Sequence, residues 1–530
     1  MFQNINKSIR KYYNNFQSYT EIYRNFDVVD SYNQILKYDI KNNNLKYKNV
    51  IIDGGFYNLG YFYRLQLLRA SLYSKGVNEH AYIWDCNKHV CKNILKKIGI
   101  KNIYSLNESF SKENKFESKK ISKKINSKLD LINYEFPDGV PGLFLYDVVL
   151  KGQKAATVNI KDKNLSNYIF KFLCSIKFSK NLINKLNPDL IALSHGISYQ
   201  CAPLAWLAAK KGIPVIILNG KYGVPRLWRL SKPEDIFFGN GHPSKESFKE
   251  IEKVKKIQLS TIGEKYLSKR ISGFTKDIAG RHAFQKNNEK LDLLFDKKKY
   301  KKVIVIYLSN WFDFPHMYGM SRFTDFLDWI TETIKYAKKN KNVFWIIKPH
   351  PMEDWYGGLT LKEVLKIKLS NNIIILPNNY SGKSVIEKAD ALITFHGTSA
   401  LEFASMGKPV MVADKGWYHE FDFVIYPKSK EEYLKNLTKE WYNSVDIESS
   451  TKNARLYTGL YFGIPYWQKN DVLPDDSDRK LLRAYLPRFT KENSKSIKKE
   501  VECLKSWLNS GSIDYHSFKM QKSKKYYSCV

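Results

Sequence analysis

Between residues 303 and 413 the chain switches repeatedly between short apolar runs that lack polar alternation and stretches with helical spacing. The runs 303–308, 343–347, 372–376, 391–395 and 409–413 read as strands. The segments 323–338, 361–369, 384–389 and 399–406 between them read as helices. A strand that is apolar on both faces must be covered on both faces, and helices placed between successive strands supply that cover. The pattern therefore predicts a parallel, doubly wound sheet.

A second pattern of the same kind lies upstream. Residues 49–52 form an apolar run ending in Asp53-Gly54-Gly55, followed by helical spacing over 58–75 and a further strand at 81–84. After Asn187-Pro188-Asp189 come a strand at 190–193, a loop Ser194-His195-Gly196, a helix of small residues through 209 and a strand at 214–218. Two Rossmann-type α/β domains facing a central cleft follow, with a helical C-terminal segment. The expected partition is an N-terminal extension over 1–47, a first Rossmann-like domain over 48–230, a helical connection over 231–300, a second Rossmann-like domain over 301–430, and helices packing back on the sheets over 431–530. Residues 107–128, charged and Ser-rich, are expected to form an exposed excursion, with the lysine run 118–124 as solvated loop.

The chain has 530 residues, enough for full-sized cores, and 87 Lys and Arg against 52 Asp and Glu give a net charge of +35. Such an excess suits nucleic acid, an anionic membrane surface or phosphate-bearing substrates, or reflects a lysine-rich composition overall. No arginine stripe interleaved with aromatics and no helix-turn-helix pattern is present, which argues against nucleic acid. Six scattered cysteines form neither a disulfide framework nor a metal-binding pair. The residues Met1 to Lys7 lack the apolar core of a signal peptide, and no apolar run reaches membrane-spanning length. The expected location is the cytoplasm, with attachment to the inner face of its membrane as an option.

In open α/β sheets ligands sit beyond the carboxyl ends of the strands, which directs attention to the residues after each run. Lys348-Pro349-His350-Pro351 presents an ammonium and an imidazole on a proline-stiffened corner, suited to a phosphate or to a plain strand exit. His396-Gly397-Thr398-Ser399 leads straight into a helix, where glycine permits close approach and free N–H groups favour an anion. Glu402, three residues after Ser399, either closes a capping box or accepts from ribose hydroxyls. The loop containing Tyr380 and Gly382-Lys383-Ser384 lacks the first glycine of a P-loop, and Tyr380 is placed to stack on a base. Asp414 opens a polar loop after the last strand, while Asp313 and His316 follow the first strand of this half; all three are candidate contacts to sugar or acceptor.

The pair Lys348-Pro349-His350-Pro351 and His396-Gly397-Thr398-Ser399-Ala400-Leu401-Glu402-Phe403-Ala404 resembles the capsule polysaccharide biosynthesis family, which includes Kdo transferases. It is more distantly similar to glycerophosphate transferases of teichoic acid synthesis. The resemblance covers about residues 303–426. It implies a GT-B fold and a cytidine-linked donor whose phosphate and ribose are bound by His350, Thr398, Ser399 and Glu402; Lys348, Tyr380, His396 and Gly397 are donor-side candidates from their places after the strands. It further implies a metal-independent glycosyltransferase with no cofactor, the nucleotide-sugar being substrate and a glycan or lipid-linked chain the acceptor. A base for the acceptor hydroxyl must then come from the first half. Asp53 and His195 each follow an apolar run of that half and are the candidates, with Gly54 and Gly55 leaving room for the acceptor. A polyol-phosphate transferase, a nucleotide-sugar 2-epimerase and a non-catalytic glycan-assembly partner stay open as alternatives.

Overall fold

A computed structural model describes residues 26–36, 47–56, 58–72, 77–84, 88–219, 226–237, 242, 245, 248, 253–275, 278–285, 294, 299–353, 357–462, 471–474 and 479–516. Two sheets organise them. The first holds β1 (Asn49–Asp53), β2 (Asn78–Ile83), β3 (Asn102–Ser105), β4 (Leu190–Leu193), β5 (Val215–Asn219) and β6 (Arg226–Leu230). The second holds β7 (Lys302–Tyr307), β8 (Val343–Lys348), β9 (Ile373–Ile375), β10 (Ala391–Thr394) and β11 (Val410–Val412). A last short strand, β12 (Asp514–His516), returns to the first sheet.

The strand orders are β12-β6-β5-β4-β1-β2-β3 and β9-β8-β7-β10-β11. The second sheet is parallel throughout. The first is parallel from β5 to β3, with β6 and β12 added antiparallel at one edge. In each sheet the first strand of the unit lies centrally, and the chain winds outward on one side before crossing to the other. The strand order therefore reverses between β1 and β4, and again between β7 and β10. Such reversal points open a crevice at the carboxyl edge.

The unbroken apolar runs that predicted these strands are buried on both faces. Ile51 joins one buried cluster while Val50 and Ile52 join another on the opposite face. Ile304 and Ile306 face that first cluster, whereas Val303 and Val305 face a third. Successive side chains of a strand point to opposite faces, so full burial of both sets requires layers on both sides. One apolar cluster joins Ile191 and Ile217 of the first sheet with Trp345 of the second, which makes the two halves share a core.

Helices supply the covering layers: α1 (Leu59–Leu72), α2 (Lys112–Lys124), α3 (Gly142–Gln153), α4 (Leu165–Leu186), α5 (Lys253–Ile271), α6 (Ser399–Ser405), α7 (Ile447–Tyr461) and α8 (Ser494–Ser510). Helix α7 packs along α5 at contact distance of the backbones. A Cβ on Gly263 would lie 1.8 Å from the Arg455 carbonyl, and one on Gly459 would lie 1.8 Å from the Leu259 carbonyl. Glycine is the residue that permits this approach. Helix α8 packs on α1, and β12 then pairs with β6, so the C-terminal segment crosses back to the first sheet. Two Rossmann-type sheets and a returning C-terminal segment make this a GT-B-like α/β architecture.

One local expectation fails. The lysine run 118–124 lies in α2, capped by the Ser111 hydroxyl accepting from the Asn114 amide at 3.2 Å. Ser118 and Ile121 are buried on the side facing α4, which turns the expected loop into a docked amphipathic helix. Among the described residues no helix is long and apolar enough to cross a membrane.

Candidate functional site

At the carboxyl edge of the first sheet, β1 ends in Asp53 and β4 is followed by Ser194 and His195. Both Asp53 and Ser194 are buried, and His195 is half-buried. The Asp53 carboxylate accepts from the Gly55 amide at 2.9 Å, Trp84 Nε1 at 3.1 Å and the Ser194 amide at 3.3 Å. It also accepts from the Ser194 hydroxyl and from Cys201 Sγ at 3.6 Å. Burial, with the Asp53 charge beside it, pushes the Cys201 thiol up, so it stays protonated and able to donate.

Two corrections follow. A carboxylate offers about four lone-pair positions, and five donors occupy those of Asp53, so it has none left for an acceptor hydroxyl. Nor do the neighbouring glycines leave room: a Cβ on Gly54 would meet Leu95 at 2.4 Å and one on Gly55 would meet Trp84 Nε1 at 1.9 Å. The missing side chains admit the Trp84 indole and a core leucine, and Asp53 anchors the crevice.

The network continues to His195, whose Nδ1 lies 2.9 Å from Ser194 Oγ. Ser194 has one hydroxyl proton, and it points to Asp53. Its oxygen therefore accepts from His195 Nδ1–H, which makes Nε2 the basic nitrogen of the ring. Phe56 packs edge-on against the imidazole at 4.7 Å. Ser194 was not among the sequence candidates, although its place directly after a strand and before a histidine was visible.

In the second sheet Lys348, Tyr307 and Thr394 stand in register at the ends of β8, β7 and β10. The Thr394 hydroxyl donates to the Tyr307 carbonyl at 3.2 Å across the reversal point. The segments carrying His350 and His396 thus leave the same edge two strand spacings apart, roughly 10 Å. His350 is half-buried, and its Nδ1 accepts from the Met352 amide at 3.2 Å. Lys348 is buried and donates to the Tyr380 carbonyl at 3.0 Å, so its ammonium braces the loop after β9.

His396 is half-buried by side-chain exposure, yet its ring stands among Phe395, Phe326 and Tyr318. Burial drives its pKa down to about 4, against the opposing pull of the Asp414 charge and the Lys415 backbone. The ring is neutral at physiological pH and carries no charge for a phosphate. Its Nδ1 is buried and has no hydrogen-bond partner among the described residues. Buried polar atoms are seldom left so. A hydroxyl, which can donate or accept, matches that atom in either tautomer.

The turn beyond is held from behind. Tyr418 donates to the Gly397 carbonyl at 2.6 Å, and the Gly397 amide donates to Thr394 Oγ1 at 3.3 Å. Thr398 is the N-cap of α6, its side chain making no capping bond, and it is half-buried together with Gly397. Ser399 is buried at the first position of α6.

Several sequence candidates have other partners. Glu402 is 4% exposed and accepts from Arg270 Nε at 2.6 Å, which leaves neither a capping box nor a carboxylate open to ribose. Tyr380 is buried in the core beneath the sheet and offers no face to a base. Asp414 is buried, accepting from Ser321 Oγ at 2.6 Å, Arg322 N at 2.6 Å and Lys415 N at 2.7 Å. It reaches the site only through its field on His396.

His316 is likewise buried, bonding Asp147 of α3 through Nδ1 at 2.6 Å and through its amide at 3.1 Å. Beside it Tyr146 donates to Asp325 at 2.6 Å, so this pair of contacts fastens the two halves together. Phe314, in the same loop, has φ +51, a left-handed conformation unusual for a bulky residue. Asp313 is the exposed member of the loop. Among the described residues no group of three or more His, Cys, Asp or Glu could hold a metal ion.

No protein-family model matches the chain, and no curated protein matches its sequence. Solved structures align with it at low identity and low TM-score. A beta Kdo 2,4 transferase, KpsC from Thermosulfurimonas dismutans, aligns at 13% identity over 52% of this chain and 79% of its own, with TM-score 0.34. The UDP-GlcNAc 2-epimerase of Methanocaldococcus jannaschii, in complex with UDP-GlcNAc and UDP, aligns at 12% identity over 79% and 99%, with TM-score 0.27. The spinosyn rhamnosyltransferase SpnG aligns at 9% identity over 83% and 100%, with TM-score 0.26.

Proposed function

We propose that this chain is a GT-B-type glycosyltransferase that moves a sugar from a nucleotide-linked donor, cytidine-linked and Kdo-like, to a surface-glycan acceptor. The observation that carries the reading is the pair of imidazoles at the two reversal points. His195 is held with Nε2 as base by the Asp53–Ser194 chain, and His396 is kept neutral with an unpaired Nδ1. A base and a hydroxyl-recognising group, one on each sheet, are what glycosyl transfer asks of such a site.

In this reading His195 Nε2 takes the proton of the acceptor hydroxyl as its oxygen bonds to the anomeric carbon. The bond from that carbon to the donor phosphate breaks, and the electron pair leaves with the nucleotide. Asp53 stabilises the imidazolium through Ser194 without being protonated. His350 and the polar turn Gly397-Thr398-Ser399 meet the departing phosphate, and His396 Nδ1 meets a hydroxyl of the ribose. The motif resemblance supports the cytidine-linked donor. Charge at the leaving group is met by protein donors, so a metal ion is not required.

The test is incubation of the protein with CMP-, CDP-, UDP- and GDP-linked sugars, reading melting temperature and nucleotide release. A cytidine-linked sugar is expected to raise the melting temperature and to be cleaved, with chelator leaving turnover unchanged. Release from none of the four, with no thermal shift, contradicts the reading. Loss of turnover with chelator and recovery with Mg²⁺ contradicts the phosphate assignment.

A further inference from the structure

Helix α2 is separated from the site and unused by the chemistry above, yet its outer face is unusual. Residues 110–129 hold seven lysines against two glutamates. One of those, Glu113, is taken by Lys177 at 2.9 Å, and Glu117 is half-buried. With Ser118, Ile121 and the following Ile125 buried, positions 116, 119, 120 and 123 share the opposite face. They are Phe116, Lys119, Lys120 and Lys123, all exposed, with Lys112 one turn before Phe116. None of these ammonium groups pairs with a carboxylate among the described residues.

Phe116 is 72% exposed, and exposed Phe110 and Leu129 flank the helix. Three of the ten large apolar side chains exposed among the described residues therefore fall within these twenty positions. Lysines scattered by composition alone would not bring bare aromatic rings with them. A phenylalanine standing among lysines matches an anionic lipid surface, where the ring enters the interface and the ammonium groups meet the headgroups. Nucleic acid would use the charge but gains little from a side chain on a helix face without base-reading polar groups.

We propose that the α2 face centred on Phe116, Lys119, Lys120 and Lys123 docks the protein on anionic phospholipid. Helix α2 follows β3 by way of the carboxyl edge that carries Asp53 and His195, so docking brings the acceptor side of the molecule to the bilayer. The docking itself does not depend on the transferase reading, since it is measured without nucleotide or acceptor.

The full chain is mixed with vesicles of phosphatidylglycerol and phosphatidylcholine, or of phosphatidylcholine alone, and sedimented. Binding is expected to the anionic vesicles only and to fall as salt rises. The variant F116S/K119E/K120E/K123E is expected to lose at least tenfold in vesicle affinity, about fivefold being typical of a single lysine at such a surface. An unchanged melting curve shows that it folds. The difference in emission between F116W and the wild type, which has eleven tryptophans of its own, is expected to shift to the blue with anionic vesicles. Equal binding by wild type and the quadruple variant overturns the proposal. So does an indole whose emission does not move, or retention of a single-stranded RNA oligomer at salt that releases the vesicles.

Discussion

The two reversal points are built on one plan and finished differently. In the first sheet the Asp53 carboxylate is met by five donors, and one of them, Ser194, bonds the imidazole of His195. In the second, the strand ends are tied by Thr394 to Tyr307, but the imidazole that follows keeps an unpaired buried nitrogen. A satisfied network fixes a group in one tautomer, and an unsatisfied one waits for a ligand. In the proposed reading, this contrast goes with chemistry at the first edge and recognition at the second.

The sharpest way to break that division is His195→Gln. Loss of a general base lowers turnover about 10²- to 10⁴-fold, while nucleotide affinity is expected to stay within twofold. Steady-state rates beside calorimetric binding check this, and an equal fall in both would place His195 in recognition instead.

Arg270→Ala examines the second sheet from below. It strands the buried Glu402 carboxylate and is expected to cost about 3–5 kcal/mol of stability, read by denaturant unfolding. Adding Glu402→Gln should recover much of the loss. Recovery of stability without change in nucleotide affinity marks Glu402 as structural; a separate drop in affinity would return it to the donor.

His396→Gln concerns pH. The wild-type ring has a folded pKa near 4 against about 6.5 unfolded, so between these values the unfolded chain binds the extra proton. Stability contributed by the neutral ring is full above about pH 6.5 and is lost as pH falls towards 4, on the order of 3 kcal/mol in all. Thermal melts from pH 7 to 4.5 should be less steep in the variant. Burial also lowers the pKa of His419, so some slope remains.

Smallest is Tyr418→Phe, which removes the bond to the Gly397 carbonyl. About 1 kcal/mol and a few-fold in nucleotide affinity are expected, with turnover at saturation unchanged.

The sheets were readable because burial on both faces writes itself into uninterrupted apolar runs; all five strands of the second sheet fall where 303–308, 343–347, 372–376, 391–395 and 409–413 place them. The three-residue β12 carries too little pattern to be seen, and it is held by pairing with β6 across most of the chain. Helix α2 escaped because only Ile121, Ile125 and a buried Ser118 mark its inner face. Site positions were legible as strand ends, but their partners were not. Trp84 comes to Asp53 from 31 residues away, Arg270 to Glu402 from 132, and Asp147 to His316 from 169. Such pairings belong to the tertiary structure, and local spacing holds no trace of them. The same distance explains why Asp53 looked like a base: its sequence neighbours are glycines, and the indole that fills their space comes from Trp84, just past the end of β2.

The central claim, that the first edge performs the reaction while the second holds the nucleotide, is tested most directly by titrating cytidine monophosphate into His195→Gln and His396→Gln and measuring the dissociation constant by calorimetry. The account predicts wild-type affinity for the His195 variant and about tenfold weaker binding for the His396 variant. Equal affinity in the two variants, or weakening confined to the His195 variant, would contradict it.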